Sequence, residues 1–172
     1  LEKKIYWEFA QNLKKDNIVN KIGYTIYSPN ELDRLFHEYK PDFVQLPYNI
    51  FDRRFEVTGW INKLYEEGIE IHIRSIFLQG LLLANISKMP KRFLKYKKTF
   101  NLYEEWLNSK NINKLVATLS LFENDNRINK IIVGVQTKNE LVNLYNTKPK
   151  ALQYPEWMNK INKTLINPKY WS

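Results

Sequence analysis

A glutamine stands where an apolar strand would place another hydrocarbon. In residues 43–54, FVQLPYNIFDRR, Gln45 interrupts a run that otherwise reads as the inside of a strand. A buried amide there needs a hydrogen-bond partner, either structural or a ligand, or it costs a few kcal/mol. In parallel α/β folds, ligands gather at the carboxyl ends of the strands. After the first β-rich run stand Thr25, Ile26 and Tyr27, and after the second Gln45, Tyr48 and Asn49. Arg74, Ser75, Leu78, Gln79 and Gly80 follow the third run, and Gly134, Val135, Gln136 and Thr137 the fourth. Such a set binds through neutral hydrogen-bonding groups and one guanidinium. It is poor in groups that transfer protons.

Several chemistries are excluded by type and spacing. There is no cysteine, so no thiolate nucleophile, thiolate metal site or disulfide. The two histidines, His37 and His72, have no partners at metal or triad spacing. No carboxylate pair is placed for acid–base work, so no catalytic residue and no metal ligand is assigned. With only five glycines, the chain holds no Rossmann or Walker loop. GVQTKNEL, residues 134–141, is a strand-to-helix turn whose free backbone N–H groups could hold a phosphate.

The elements that must position these residues alternate. Residues 3–15 place Ile5, Tyr6, Phe9 and Leu13 on one helical face. A β-rich run follows at 21–27. Ser28-Pro29-Asn30-Glu31 starts a helix that runs to about 39. FVQLPY is the second strand. A helix is predicted over 52–66, with Gly68 as its stop. IEIHIRSIFL, residues 69–78, is the third strand. Residues 82–98 are irregular, and helices are predicted over 100–109 and 112–122. NKIIVGVQ, residues 129–136, is the fourth strand, followed by a helix to 146 capped by Thr137. The tail carries a short helix near 156–165. Alternation of this kind predicts an α/β protein with a parallel sheet. No linker divides the chain, so residues 1–172 read as a single domain.

Hydrophobic residues make up 44% of the 172, enough for a real core. The net charge of +9 invites an anionic partner, densest in KMPKRFLKYKK at 88–98. The lysines are otherwise scattered among asparagines, the pattern of a solvated surface, so no nucleic-acid partner is expected. No apolar run reaches the roughly 18 residues of a membrane span, and no membrane association is expected. The lack of cysteine fits a reducing, cytoplasmic setting. The chain begins at Leu1, already in a helical phrase, and is expected to lack the front of a longer protein.

Four phrases in order resemble one family. KIGYTIYSPNEL, PDFVQLPYNIFDRR, IHIRSIFLQGLLL and KIIVGVQTKNEL look like the second half of an aldo-keto reductase, in a style closest to bacterial members. The resemblance covers nearly the whole chain. It implies a (β/α)8 TIM-barrel fold of which this chain holds about four βα units, a half barrel. It also implies a nicotinamide cofactor, usually NADP and otherwise NAD. Gln45 then matches the glutamine that bonds the nicotinamide carboxamide, and Thr25 matches a serine that touches it. Arg74 falls where an aromatic often stacks on the ring; a guanidinium plane can stack too. Ser75, Leu78 and Gly80 match the loop that wraps the pyrophosphate. Gly134, Gln136 and Thr137 match the turn that meets the adenosine phosphate, and Asn143 a position near the adenine.

The departures matter as much. Ile26 stands where the family commonly has Asn, and Leu144 replaces another frequent Asn. Glu140 stands where members that select the 2′-phosphate carry Arg or Gln, so NADP preference is in doubt; Lys138 could partly compensate. The family's catalytic Asp, Tyr, Lys and His belong to the half before this chain. Tyr24, Tyr27 and Tyr48 do not match the tyrosine. The resemblance therefore implies NAD(P)H-dependent reduction of a small-molecule carbonyl by the intact enzyme, and an inactive chain on its own. The alternative is a non-catalytic half-barrel module that binds a nucleotide or a partner. Open sheet edges make a homodimer of half barrels an expected state of the chain alone.

Overall fold

The computed structural model describes residues 2–171; Leu1 and Ser172 lie outside the described residues. The chain forms two compact units. The first comprises Leu1–Pro47, Arg54–Arg74 and Asn126–Ile131, and the second Tyr48–Arg53, Ser75–Asp125 and Ile132–Ser172.

The first unit is a parallel sheet with helices. β1 (Gly23–Thr25), β2 (Phe43–Pro47), β3 (Glu70–Arg74) and β4 (Lys130–Ile131) lie side by side in chain order, every pair parallel. This is the α/β architecture of successive βα units expected from the sequence. Its helices are α1 (Glu2–Lys15), α2 (Pro29–Leu35), α3 (Arg54–Val57) and α4 (Trp60–Glu66). The side-chain period of two sorts the sheet into unlike faces. Val44, Leu46, Ile71 and Ile73 are fully buried on one side. Thr25, Gln45, His72 and Lys130 share a register row whose alternation puts them on the other.

Local signals explain the boundaries. Glu31 Oε1 accepts from the backbone N–H of Ser28 at 3.0 Å and of Tyr27 at 3.1 Å, closing the start of α2. At the end of α4, Gly68 is left-handed (φ 69°), and the Ile69 N–H reaches back to the Leu64 carbonyl at 2.9 Å, a Schellman closure. The single helix predicted over 52–66 is two, because Gly59 takes φ 80° between α3 and α4.

α1 forms as predicted but does not use its predicted face. Ile5, Tyr6 and Phe9 are 65%, 71% and 62% exposed. The helix is held instead by Trp7, whose ring lies 5.9 Å from Tyr24 and 5.8 Å from Tyr39, and by Lys14, which donates to both Asp42 carboxylate oxygens. Periodicity identified an apolar stripe; it could not say that these residues stay exposed among the described residues.

The second unit holds α5 (Lys97–Ser109), α6 (Lys114–Ser120), α7 (Lys138–Asn146) and α8 (Lys163–Ile166), with 3-10 turns at Ile86–Lys88, Lys91–Tyr96, Glu156–Lys160 and Pro168–Tyr170. Its core is aromatic. Phe51 packs against Phe100, Tyr103 and Trp157, Phe93 against Trp171, and Trp106 against Tyr154. Three predicted strands are shorter than expected, and β1 keeps only Gly23–Thr25 of the run over 21–27. β3 stops at Arg74 because Ser75 turns left-handed (φ 58°). β4 has two residues, Lys130 and Ile131, which pair with His72 and Ile73 of β3.

Candidate functional site

The residues singled out from the sequence fall into two groups, one in each unit. In the first unit Thr25 and Gln45 are register partners on β1 and β2. Gln45 is half-buried rather than buried, and among the described residues its carboxamide has no partner. It interrupts the apolar run because it faces away from Val44 and Leu46, on the sheet's polar side. Thr25 is exposed beside it.

Arg74 ends β3 and reaches across the sheet. Its guanidinium lies 4.4 Å from the centre of the Tyr27 ring, and Nη2 donates to the Ile26 carbonyl at 3.2 Å. The ring it meets is thus Tyr27 of the protein itself, whereas the sequence reading has the guanidinium stack on a nicotinamide. His72 is structural: it stacks on Phe43 at 4.7 Å and contacts Glu70 Oε2 at 3.2 Å. The Lys21 ammonium and then His72 hold the Glu70 carboxyl below its usual range. Burial pushes the Tyr24 phenol up to about 12, so it stays protonated across the physiological range.

In the second unit the segment after β3 is a chain of left-handed residues. Ser75, Leu78, Gln79 and Gly80 have φ of 58°, 48°, 53° and 83°. Each non-glycine residue there costs roughly 1 kcal/mol, so the surroundings must hold the turn. Two anchors do so. Leu78 is 1% exposed in the aromatic core, which leaves only its backbone for a ligand. Asn49, fully buried, donates to the Ser75 carbonyl at 3.0 Å while its Oδ1 accepts from the N–H groups of Phe51 and Asp52 at 3.0 and 2.8 Å. Asn49 stands among the strand-end residues in the sequence, but its anchoring role was not read there. Its signal was an amide placed among large apolar residues.

This turn and the segment after β4 enclose a cavity of about 670 Å³. Ser75, Gly80, Gly134, Gln136 and Asn143 all line it, together with Gln79. A Cβ at Gly80 or Gly134 would meet nothing within 4 Å, so both glycines border open space. Thr137 serves α7 itself: its Oγ1 accepts from the Glu140 N–H at 3.1 Å. Glu140 also lines the cavity, and its Oε2 accepts from the Gln136 N–H at 2.7 Å. Among the described lining residues Glu140 is the sole charged group. The wall is suited to hold a polar ligand through neutral donors and backbone. A neighbouring open cleft of about 900 Å³ is lined by Glu104, Asn108, Lys114, Asn143 and Asn146, where Glu104 already pairs with Lys114 at 2.9 Å. Among the described residues no cluster of three potential metal ligands occurs, and no helix is long and apolar enough to cross a membrane.

No protein-family model matches the sequence, and no curated protein does. Solved structures do match. The apo form of aldo-keto reductase AKR11C1 from Bacillus halodurans superposes with a TM-score of 0.70 at 18% identity, and the holo form with 0.67 at 16%. Each match covers 94% of this chain but only 57% or 58% of the reductase. The likeness read from the four phrases is thus shown at the level of fold, and the chain spans a little over half the length of the reductase structures it matches.

Proposed function

We propose that this chain is the cofactor-binding part of an aldo-keto reductase. In the intact enzyme it holds a nicotinamide dinucleotide, NADP or NAD, and the remainder of the barrel supplies the acid–base residues for reduction of a small-molecule carbonyl. The observation that carries the reading is the cavity of the second unit, where Ser75, Gly80, Gly134, Gln136 and Asn143, drawn from two separate family phrases, share one wall. The open space at Gly80 and Gly134 suits close approach of a ligand's phosphates to backbone. When bound, the cofactor supplies the hydride; Thr25, Gln45 and Arg74 would hold its nicotinamide end and the cavity its other end.

In this reading the chain alone is inactive; a non-catalytic nucleotide- or partner-binding module is the alternative, and the same cavity would serve it. The exposed stripe of Ile5, Tyr6 and Phe9, with β1 and β4 at the sheet's edges, supports closure by a second copy, a homodimer of half barrels. The cysteine-free sequence fits a cytoplasmic setting. The scattered lysines support neither a nucleic-acid nor a membrane partner.

Tryptophan-fluorescence titration of the purified chain with NADH and NADPH tests the reading, with molar mass recorded in the same buffer. Saturable quenching by either nucleotide is the expected result. A well-folded chain that binds neither nucleotide overturns it. Turnover of a carbonyl by the chain alone would show that it holds acid–base groups of its own.

A further inference from the structure

The net charge of this chain is not spread over its surface. The sequence carries 27 lysines and arginines against 18 carboxylates. Residues 88–98 hold six of those cations and residues 157–172 three, and neither segment contains a carboxylate. The two segments therefore account for the whole net charge of +9, and the rest of the chain balances. As cations the lysines are scattered; as uncompensated charge they are confined to these two stretches. All nine are exposed, and among the described residues none is in an ion pair.

The second unit brings the two stretches together. The Tyr96 hydroxyl meets Thr164 Oγ1 at 2.6 Å, and the Phe93 ring meets that of Trp171 at 4.9 Å. They share a small pocket of about 70 Å³, whose lining includes Arg92, Lys95, Tyr96, Thr164, Tyr170 and Trp171. That is room for roughly two waters, or for one carboxylate. Its neutral donors are spent inside the protein. Thr164 Oγ1 donates to Asn162 Oδ1 at 2.7 Å, so Tyr96 donates to Thr164, and Trp171 Nε1 donates to the Leu165 carbonyl at 2.9 Å. The cations are not spent. The Arg92 guanidinium lies 5.1 Å from the Phe93 ring centre and the Lys95 ammonium 5.1 Å from that of Tyr96, contacts that steady a cation without neutralising it. The described lining residues of this pocket and of the larger cavity do not overlap.

We propose that this surface docks an acidic segment of a partner protein, with one of its carboxylates seated in the pocket between Arg92 and Lys95. Charge complementarity sets the partner's sign. The apolar exposure sets its class. Leu94 and Tyr170, 50% and 54% exposed, offer one apolar contact from each stretch, which a peptide side chain can cover. An interfacial membrane helix needs a broad apolar face, and here Met89 and Phe93 are buried in the core instead. Single-stranded nucleic acid needs successive rings for its bases, and among the described residues of the two stretches only the Tyr170 ring is exposed.

Fluorescence anisotropy of a short labelled peptide rich in glutamate tests this, with the whole chain, R92Q/K95Q and K15Q/K110Q, each with a urea denaturation curve. Lys15 and Lys110 are exposed cations outside both stretches, so that pair removes the same charge elsewhere. The wild-type chain is expected to bind saturably, and not to bind a glutamine-rich peptide of the same length. R92Q/K95Q is expected to weaken binding about 10-fold or more, and K15Q/K110Q less than about 2-fold. Equal weakening by both pairs would reduce the effect to net charge and overturn the proposal. So would a folded wild-type chain that does not bind the acidic peptide. Tighter binding of a single-stranded RNA, or of vesicles containing phosphatidylglycerol, would overturn it as well and give the surface to nucleic acid or to membrane.

Discussion

The two units build their interiors by different means. In the first, a four-stranded parallel sheet separates an apolar face from a polar one, and each strand announces itself by alternation or by a run of β-branched residues. In the second, Phe51, Phe93, Phe100, Tyr103, Trp106 and Met158 converge from turns, 3-10 segments and short helices. The sheet holds its residues by backbone pairing, so Thr25 and Gln45 are set by register. The turns hold theirs by individual side chains: Asn49 fixes Ser75, and Leu78 is pinned in the core. The placing of a polar side chain in the first unit is therefore a matter of strand alignment. In the second it depends on a few buried anchors.

The strongest way to break that contrast is Gly23→Ala. A Cβ there would overlap the Phe43 carbonyl oxygen and lie 2.8 Å from its ring, directly across the β1–β2 pair. β1 must then shift, at an expected cost of about 3 kcal/mol in urea denaturation. A change under about 0.5 kcal/mol would mean that register does not hold this unit. Next comes Asn49→Ala, which strands two buried N–H groups and frees the Ser75 carbonyl, an expected loss of about 2 kcal/mol. If the anchor account is right, nucleotide affinity at the cavity falls along with stability; unchanged affinity would argue that Ser75 is held by other groups.

Asp42 sharpens the comparison on the sheet side. Burial raises its carboxyl, but hydrogen bonds from Lys14 and the Ile22 N–H and the charges of Lys14 and Lys21 outweigh this and hold it below the usual range. The stabilisation is therefore present above the ordinary carboxylate value. It shrinks as pH drops below about 4 and is lost once pH passes the depressed value. D42N should cost about 1 kcal/mol at pH 7, and the gap from wild type should close in acid. A gap that persists at pH 2 would point to packing rather than charge. The smallest effect is expected of Phe9→Ser, within about 0.5 kcal/mol for a monomer because the ring is 62% exposed. If the chain is instead a homodimer, the same change should lower its molar mass in light scattering.

Legibility followed the same division. α2 was readable because Ser28, Pro29 and Glu31 are local signals whose partners lie within four residues. Gly68 was readable as a stop because only a left-handed residue closes that helix end cheaply. β3 was drawn too long because Ile76, Phe77 and Leu78 are as apolar as a strand, and nothing local says that Ser75 turns left-handed; that depends on Asn49, distant in sequence. Of the site, the phrase containing Glu140 was legible, while its bond to Gln136 and its place on the cavity wall were not.

Residue order by itself determined the alternation of strands and helices, the caps, and the polar positions at the strand ends, because each depends on periodicity or on neighbours a few residues apart. Tertiary structure decided which apolar stripe is covered, where β3 and β4 stop, and which polar side chains meet a cavity. Those outcomes depend on surfaces brought together from distant segments, and a side chain's type does not state whether its partner is protein, ligand or water.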